Sequence, residues 1–276
     1  MSRFIRRPVV WFGVIWLATN LLAVWLLEIW DETPVKPRRP DVSERAEDLY
    51  DRPGVSGTPV WGEAAETPAS SVLNCRLLRP ESASRPVPLV VFLHGAGERG
   101  HDNVSQLSGL PDQLSEPDMQ SRFPCVCLAP QCPRGDSWGR HMDELERLVE
   151  HWRADPQVDP CRVYLTGLSM GGFGSWELVA RRPDLFAAVV PICGGGEPAR
   201  ARDLAVLPIW AVHGEDDDVV PVSQTRSMIE AVRSAGGEPR YTEMPGVGHN
   251  AWTPAYRDPD GVIPWMFQQK RQDCPQ

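Results

Sequence analysis

Thr166-Gly167-Leu168-Ser169-Met170-Gly171-Gly172-Phe173-Gly174 places a serine between glycines at the spacing G-x-S-x-G. The run before it, Cys161 to Thr166, is short and apolar and reads as a buried strand. The run after it, Phe173 to Arg182, has helical spacing and stops at Pro183. Strand, tight turn and helix in that order make an elbow. The turn is strained, so glycine stands where a Cβ would clash, and the serine oxygen is pushed out above a sheet. Glycine-rich turns between strand and helix also occur with no chemical role, so the elbow alone leaves a purely structural turn open.

The flanking sequence supplies what a nucleophilic serine needs. Ser71 to Leu78 and Val87 to Leu93 read as strands, and the second opens into His94-Gly95-Ala96-Gly97-Glu98-Arg99-Gly100. When a serine attacks an ester carbonyl, negative charge develops on oxygen, and donors fixed in advance stabilise it; losing one costs about 3 kcal/mol of barrier. The expected donors are the backbone N–H groups of Ala96 and Met170. His94 reads as a structural residue beneath that loop. Cys125 to Ala129 is a further strand, followed by a loop with Trp138 and an amphipathic helix from Met142 to Arg153. Its apolar positions Leu145, Leu148, Val149 and Trp152 belong to a core, while His141 and His151 sit among charges and read as solvated surface.

Beyond the elbow, Phe186 to Ile192 is an apolar run that ends in Cys193-Gly-Gly-Gly196. This cluster lacks the G-K-[ST] ending of a phosphate cradle and reads as a strand-to-loop turn. Leu207 to Val212 is the next strand and delivers His213-Gly214-Glu215-Asp216-Asp217-Asp218-Val219-Val220-Pro221. A catalytic histidine needs a carboxylate on its far nitrogen, and any of the three aspartates could serve. A helix from Val222 to Ala235 and a strand from Tyr241 to Met244 follow. Then comes His249 in Gly246-Val-Gly-His249-Asn-Ala-Trp252, a glycine-flanked loop able to aim an imidazole at Ser169.

These segments together resemble the esterase and predicted-peptidase branch of the α/β-hydrolase superfamily, near its carboxylesterase/phospholipase-like, dienelactone-hydrolase-like and polyhydroxybutyrate-depolymerase-like groups. The resemblance runs from Ser71 to the C-terminus. It rests on Phe92 to Gly100, Leu128 to Pro133, Tyr164 to Gly174, Phe186 to Gly195, His213 to Pro221 and Val247 to Trp252. It implies a mostly parallel central sheet with helices on both faces, with Ser169 as nucleophile, His249 as general base and then acid, and Asp217 as the orienting acid. Asp216 and Asp218 remain alternatives for the acid. Gly97, Trp138 and Trp252 are expected to line a substrate pocket, whereas Trp176 fits the core of the elbow helix. No cofactor and no metal are expected.

The chain has 276 residues, a net charge of -9 and 42% hydrophobic composition. Without a basic stripe, the acidic balance disfavours a nucleic-acid partner. Val9 to Leu27 runs without a charge, behind Arg3, Arg6 and Arg7, and is long enough to cross a bilayer as a helix. Trp11, Trp25 and Trp30 suit its interfaces. Residues 1–30 therefore read as a signal anchor, 31–69 as a proline-rich charged linker and 70–276 as the catalytic domain. The N-terminal arginines abut the span, so an exoplasmic or periplasmic catalytic domain is expected; a secreted form after signal cleavage is the alternative. Seven cysteines form no C-x-x-C pair, and an odd count leaves at least one unpaired within the chain. Cys125 and Cys127 read as small core residues on one strand face.

The expected function is hydrolysis of carboxylic esters, small or polymeric, through an acyl-enzyme. A serine peptidase of the prolyl-oligopeptidase type and a non-catalytic binding domain on a hydrolase scaffold are the alternatives.

Overall fold

The computed structural model describes residues 73–80, 86–271 and 273–274. Their strands are β1 (Asn74–Leu78), β2 (Val87–Leu93), β3 (Val126–Gln131), β4 (Val158–Leu168), β5 (Ala188–Ile192), β6 (Trp210–Gly214) and β7 (Arg240–Met244). They form one sheet of order β1-β3-β2-β4-β5-β6-β7, antiparallel only between β1 and β3. The helices are α1 (Leu110–Ser115), α2 (Pro117–Arg122), α3 (Met142–Arg153), α4 (Met170–Arg181), α5 (Ala201–Leu204), α6 (Ser223–Ser234), α7 (Trp252–Arg257) and α8 (Val262–Phe267).

A parallel sheet must be covered on both faces, so its inner strands are apolar throughout. In β2 every residue is buried. Leu89, Val91 and Leu93 point into one core with α3, α4, α5 and α6, while Val90 and Phe92 point into a second core with α1, α2, α7 and α8. Cys125 and Cys127 fall in the second core and Val126 and Leu128 in the first, the alternation expected of a strand.

β2 and α3 occupy the spans expected from periodicity. β4 is longer than expected because Val158 already pairs with Val87, across a register shift before Leu89. α4 opens at Met170, since the two glycines after the serine already belong to the helix. α1, α2, α7 and α8 have no clear sequence signal. Each has six residues, too few to show a 3.6-residue repeat, and each contains a proline. In α1 and α2 that proline occupies the first turn, where its missing N–H costs nothing.

The chain runs from β2 to β3 on one side and then to β4 on the other, so the strand order reverses at β2. A crevice opens at such a switch point beyond the carboxyl ends of the strands. His94, Ser169 and the loops after β6 and β7 all leave the sheet at that edge. At the opposite end of β4, Cys161 is disulfide-bonded to Cys274, while Cys75, Cys125, Cys127, Cys132 and Cys193 are free and buried. The expected membrane span and the 31–69 linker lie outside the described residues. Among the described residues, no helix is long and apolar enough to cross a membrane.

Candidate active site

Ser169 sits between β4 and α4 with φ 53° and ψ -118°, a backbone conformation rarely adopted by residues with a side chain. Its N–H donates to the Ile192 carbonyl at 2.9 Å, which ties the elbow to β5. The turn closes because two glycines meet in it. A Cβ on Gly167 would strike the carbonyl of Gly171, and a Cβ on Gly171 would strike the carbonyl of Leu93. The end of β2 and the first turn of α4 are thereby in backbone contact.

The loop after β7 brings His249 to the serine. His249 Nε2 lies 2.9 Å from Ser169 Oγ, and His249 Nδ1 lies 2.7 Å from Asp217 Oδ2. The three side chains form one hydrogen-bonded row drawn from β4, β6 and β7. Of the three adjacent aspartates, Asp217 is the one that meets the imidazole; Asp216 and Asp218 are exposed.

Burial works to raise the Asp217 carboxyl, but hydrogen bonding outweighs it and holds the group well below the usual carboxylate range. Its Oδ2 faces His213 at 3.1 Å as well as His249, and its Oδ1 accepts the amides of Val219 at 2.9 Å and Val220 at 2.8 Å. The carboxylate therefore stays ionised and fixed in orientation. His213, fully buried at the end of β6, is fixed in turn by Thr225 Oγ1 at 2.7 Å and the Val220 carbonyl at 2.9 Å. Sequence reasoning used His213 only as a landmark. Its signal was the spacing of four to Asp217 at the end of a buried strand.

Cys193, His213 and Asp217 bring potential metal-ligand atoms within 4.8 Å of one another. The set does not fit an ion. Both ring nitrogens of His213 and both oxygens of Asp217 are engaged in hydrogen bonds, and the Cys193 thiol donates to the His249 carbonyl at 3.2 Å.

Ala96 opens a 3-10 turn and Met170 opens α4, so neither N–H has an intrahelical partner. Both belong to the two backbone segments in contact at Gly171. Among the residues expected around a substrate, Trp252 has its ring 5.2 Å from that of His249, edge to face, and lines a cavity of about 300 Å³. Phe92, Leu168 and Tyr256 give this cavity an apolar floor, and Glu98, Asp112, Glu116 and Arg257 bring charge to it. Gly97 is exposed and is not part of its wall. Trp138 is also not part of it. Its indole N–H donates to the His94 carbonyl at 3.0 Å and its side chain packs against Gly174, so it is buried beneath the loop.

Residues 136–259 match the model of the dienelactone hydrolase family. The fold is similar to that of a thermostable esterase of known crystal structure, with 36% identity, a TM-score of 0.67 and coverage of 72% of this chain and 59% of that one. In sequence, 51 residues are 43% identical to poly(3-hydroxyalkanoate) depolymerase C of Paucimonas lemoignei, covering 18% of this chain and 12% of that protein. Acyl-protein thioesterase 1 of Gibberella zeae is 24% identical over 218 residues, covering 62% of this chain and 86% of that protein. Against several longer curated relatives this chain spans between 12% and 29% of their length.

Proposed function

We propose that this chain, which carries a dienelactone hydrolase family domain on the α/β-hydrolase fold, is a serine hydrolase that cleaves carboxylic esters through an acyl-enzyme. The observation that carries the reading is the row Asp217–His249–Ser169 at 2.7 and 2.9 Å, with the serine held at φ 53°. Ser169 Oγ attacks the ester carbonyl while His249 Nε2 takes its proton. Asp217 holds Nδ1–H and stabilises the imidazolium. The oxyanion is bound by the Ala96 and Met170 amides, His249 returns the proton to the departing alcohol, and water repeats the sequence on the acyl-enzyme.

The cavity beside Trp252 holds one arm of the ester. Three carboxylates against one guanidinium disfavour an anionic arm, so neutral esters are the expected substrates and monoesters of dicarboxylic acids, which keep a free carboxylate, poor ones. The uncharged run Val9–Leu27 and the Cys161–Cys274 disulfide both support a membrane-tethered enzyme facing an oxidising compartment.

The test is turnover of p-nitrophenyl acetate together with labelling by a fluorophosphonate. Ser169→Ala is expected to abolish both, and peptide mapping is expected to place the label on Ser169. Turnover retained in folded Ser169→Ala refutes the assignment, and peptide amides cleaved as efficiently as esters would move it to a peptidase.

A further inference from the structure

The loop between β2 and its following turn is held in an unusual way. Three consecutive carbonyl oxygens each accept a side-chain hydrogen bond: His94 O from the Trp138 indole at 3.0 Å, Gly95 O from His94 Nδ1 at 2.6 Å, and Ala96 O from Arg99 Nε at 3.0 Å. Arg99 Nη1 also reaches the Asp136 carbonyl at 3.1 Å. Three successive peptide planes are thus pinned by their oxygens.

The middle plane is the one that matters for chemistry. A trans peptide is planar, with C=O and N–H pointing in opposite directions, and the plane carrying the Gly95 carbonyl also carries the Ala96 N–H. Fixing that oxygen fixes the direction of that donor.

The proton on His94 can be located from its neighbours. Its Nε2 faces the Cys132 backbone N–H at 2.9 Å. An amide nitrogen only donates, so Nε2 must offer its lone pair. The proton of a neutral ring then lies on Nδ1, where the Gly95 carbonyl accepts it. Burial pushes His94 down to about 4, against a smaller opposing effect of that carbonyl, which keeps the ring neutral at ordinary pH. Glu98, Arg99 and Asp102 are the charged groups around it.

We infer that His94 is a positioning residue for the oxyanion hole: the Cys132 amide at the end of β3 selects its Nδ1–H tautomer, and that N–H aims the Ala96 amide. The inference rests on the serine-hydrolase reading and goes beyond it, because it assigns a positioning role to a buried histidine that lines the cavity beside Trp252 and hydrogen-bonds neither Ser169 nor His249.

The test uses the full chain in two independent measurements. Nitrogen-15 spectra of histidine-labelled protein, with the His94 signals assigned by their loss in His94→Asn, should show Nδ1 protonated and Nε2 bare at neutral pH. Steady-state ester hydrolysis then separates the variants. His94→Asn places an amide N–H where Nδ1 stood and should retain kcat within about fivefold. His94→Gln can still accept from Cys132 but cannot reach Gly95, and should lose kcat by roughly 10- to 100-fold with KM within about twofold, somewhat less than removing a donor outright. A protonated Nε2, a wild-type kcat in His94→Gln, or equal losses in the Asn and Gln variants overturns the inference. If His94→Gln fails to fold, the spectrum still tests the tautomer, since its assignment needs only His94→Asn, and a protonated Nε2 there overturns the inference. Turnover surviving Ser169→Ala would instead defeat the underlying reading and leave the tautomer result standing.

Discussion

Gly171→Ala tests how the elbow and the oxyanion loop are built against each other. In an ordinary helix the change favours folding by about 1 kcal/mol. Here an added Cβ would lie on top of the Leu93 carbonyl oxygen, 2.5 Å from the Leu93 carbonyl carbon and 2.8 Å from the His94 carbonyl oxygen. All three atoms are backbone, so no side chain can rotate away. Restoring an ordinary carbon–carbon contact of ~3.5 Å requires the end of β2 and the start of α4 to part by about 1 Å. Overpacking of this kind costs about 1–3 kcal/mol, which exceeds the helical gain. The Ala96 and Met170 amides sit on the two segments being parted, and a misplacement of about 1 Å at a reacting centre can cost about 100-fold. The expected result is a fall in kcat of at least about 100-fold, with a lower denaturation midpoint. Gly97→Ala, whose Cβ would meet open space, provides the stability reference for a clash-free glycine-to-alanine change. The measurements are kcat on p-nitrophenyl acetate and chemical denaturation followed by circular dichroism. If Gly171→Ala kept kcat within threefold and unfolded at the wild-type midpoint, the close packing described here would be refuted.

Three further outcomes follow from particular contacts. Asp217→Asn presents an amide to His249 Nδ1 and disturbs the tautomer, so kcat should fall by about 10⁴-fold while the fold persists; a loss under tenfold in steady-state assays would leave the acid unidentified. His94 also ties stability to pH. The unfolded chain binds a proton near 6.5 and the folded one only near 4, so the unfolded state holds more protons between these values and stability falls as pH drops through that window. The loss is at most about 3 kcal/mol, and denaturation at pH 7 and pH 4.5 should show most of it in wild type and little of it in His94→Asn. Asp217, with its carboxyl held low, contributes stability that is present above its unfolded value of 3.8 and lost as pH falls toward its folded value, below the histidine window. Finally, replacing Cys161 and Cys274 by serine should lower unfolding free energy by about 2–5 kcal/mol and leave kcat unchanged. Cys161 stands eight strand residues before Ser169, roughly 26 Å along β4.

The strand-turn-helix order around Ser169 and the apolar strands were legible because both depend on local spacing. β2 is apolar throughout because it is buried on both faces, and α3 carries a clean stripe at Leu145, Leu148, Val149 and Trp152. The choice among Asp216, Asp217 and Asp218 came from resemblance; spacing alone left it open, since it depends on how the turn after β6 folds. The place of Trp138 beneath the loop was not legible, because an indole near a glycine loop looks the same in sequence whether it lines a cavity or is covered. What decides it is the carbonyl of His94, brought there by tertiary packing. The 161–274 disulfide was unreadable for the same reason, its two cysteines being brought together from 113 positions apart, whereas His213 meets Asp217, Val220 and Thr225, all within 12 residues of it, so its signal lay in local spacing.

The disulfide also defines a covalent ring. It joins residues 113 positions apart, and Ser169, Asp217 and His249 all lie inside that ring, whereas Ala96 lies outside it. A single protease cut between Cys161 and Cys274 would therefore leave nucleophile, acid and base in one covalently connected molecule until the bond is reduced. A cut between Ala96 and Cys161 would instead sever the covalent link between Ala96 and those three residues at once. A backbone break after β4 is thus bridged by the disulfide, whereas a break between Ala96 and β4 has no covalent bridge across it.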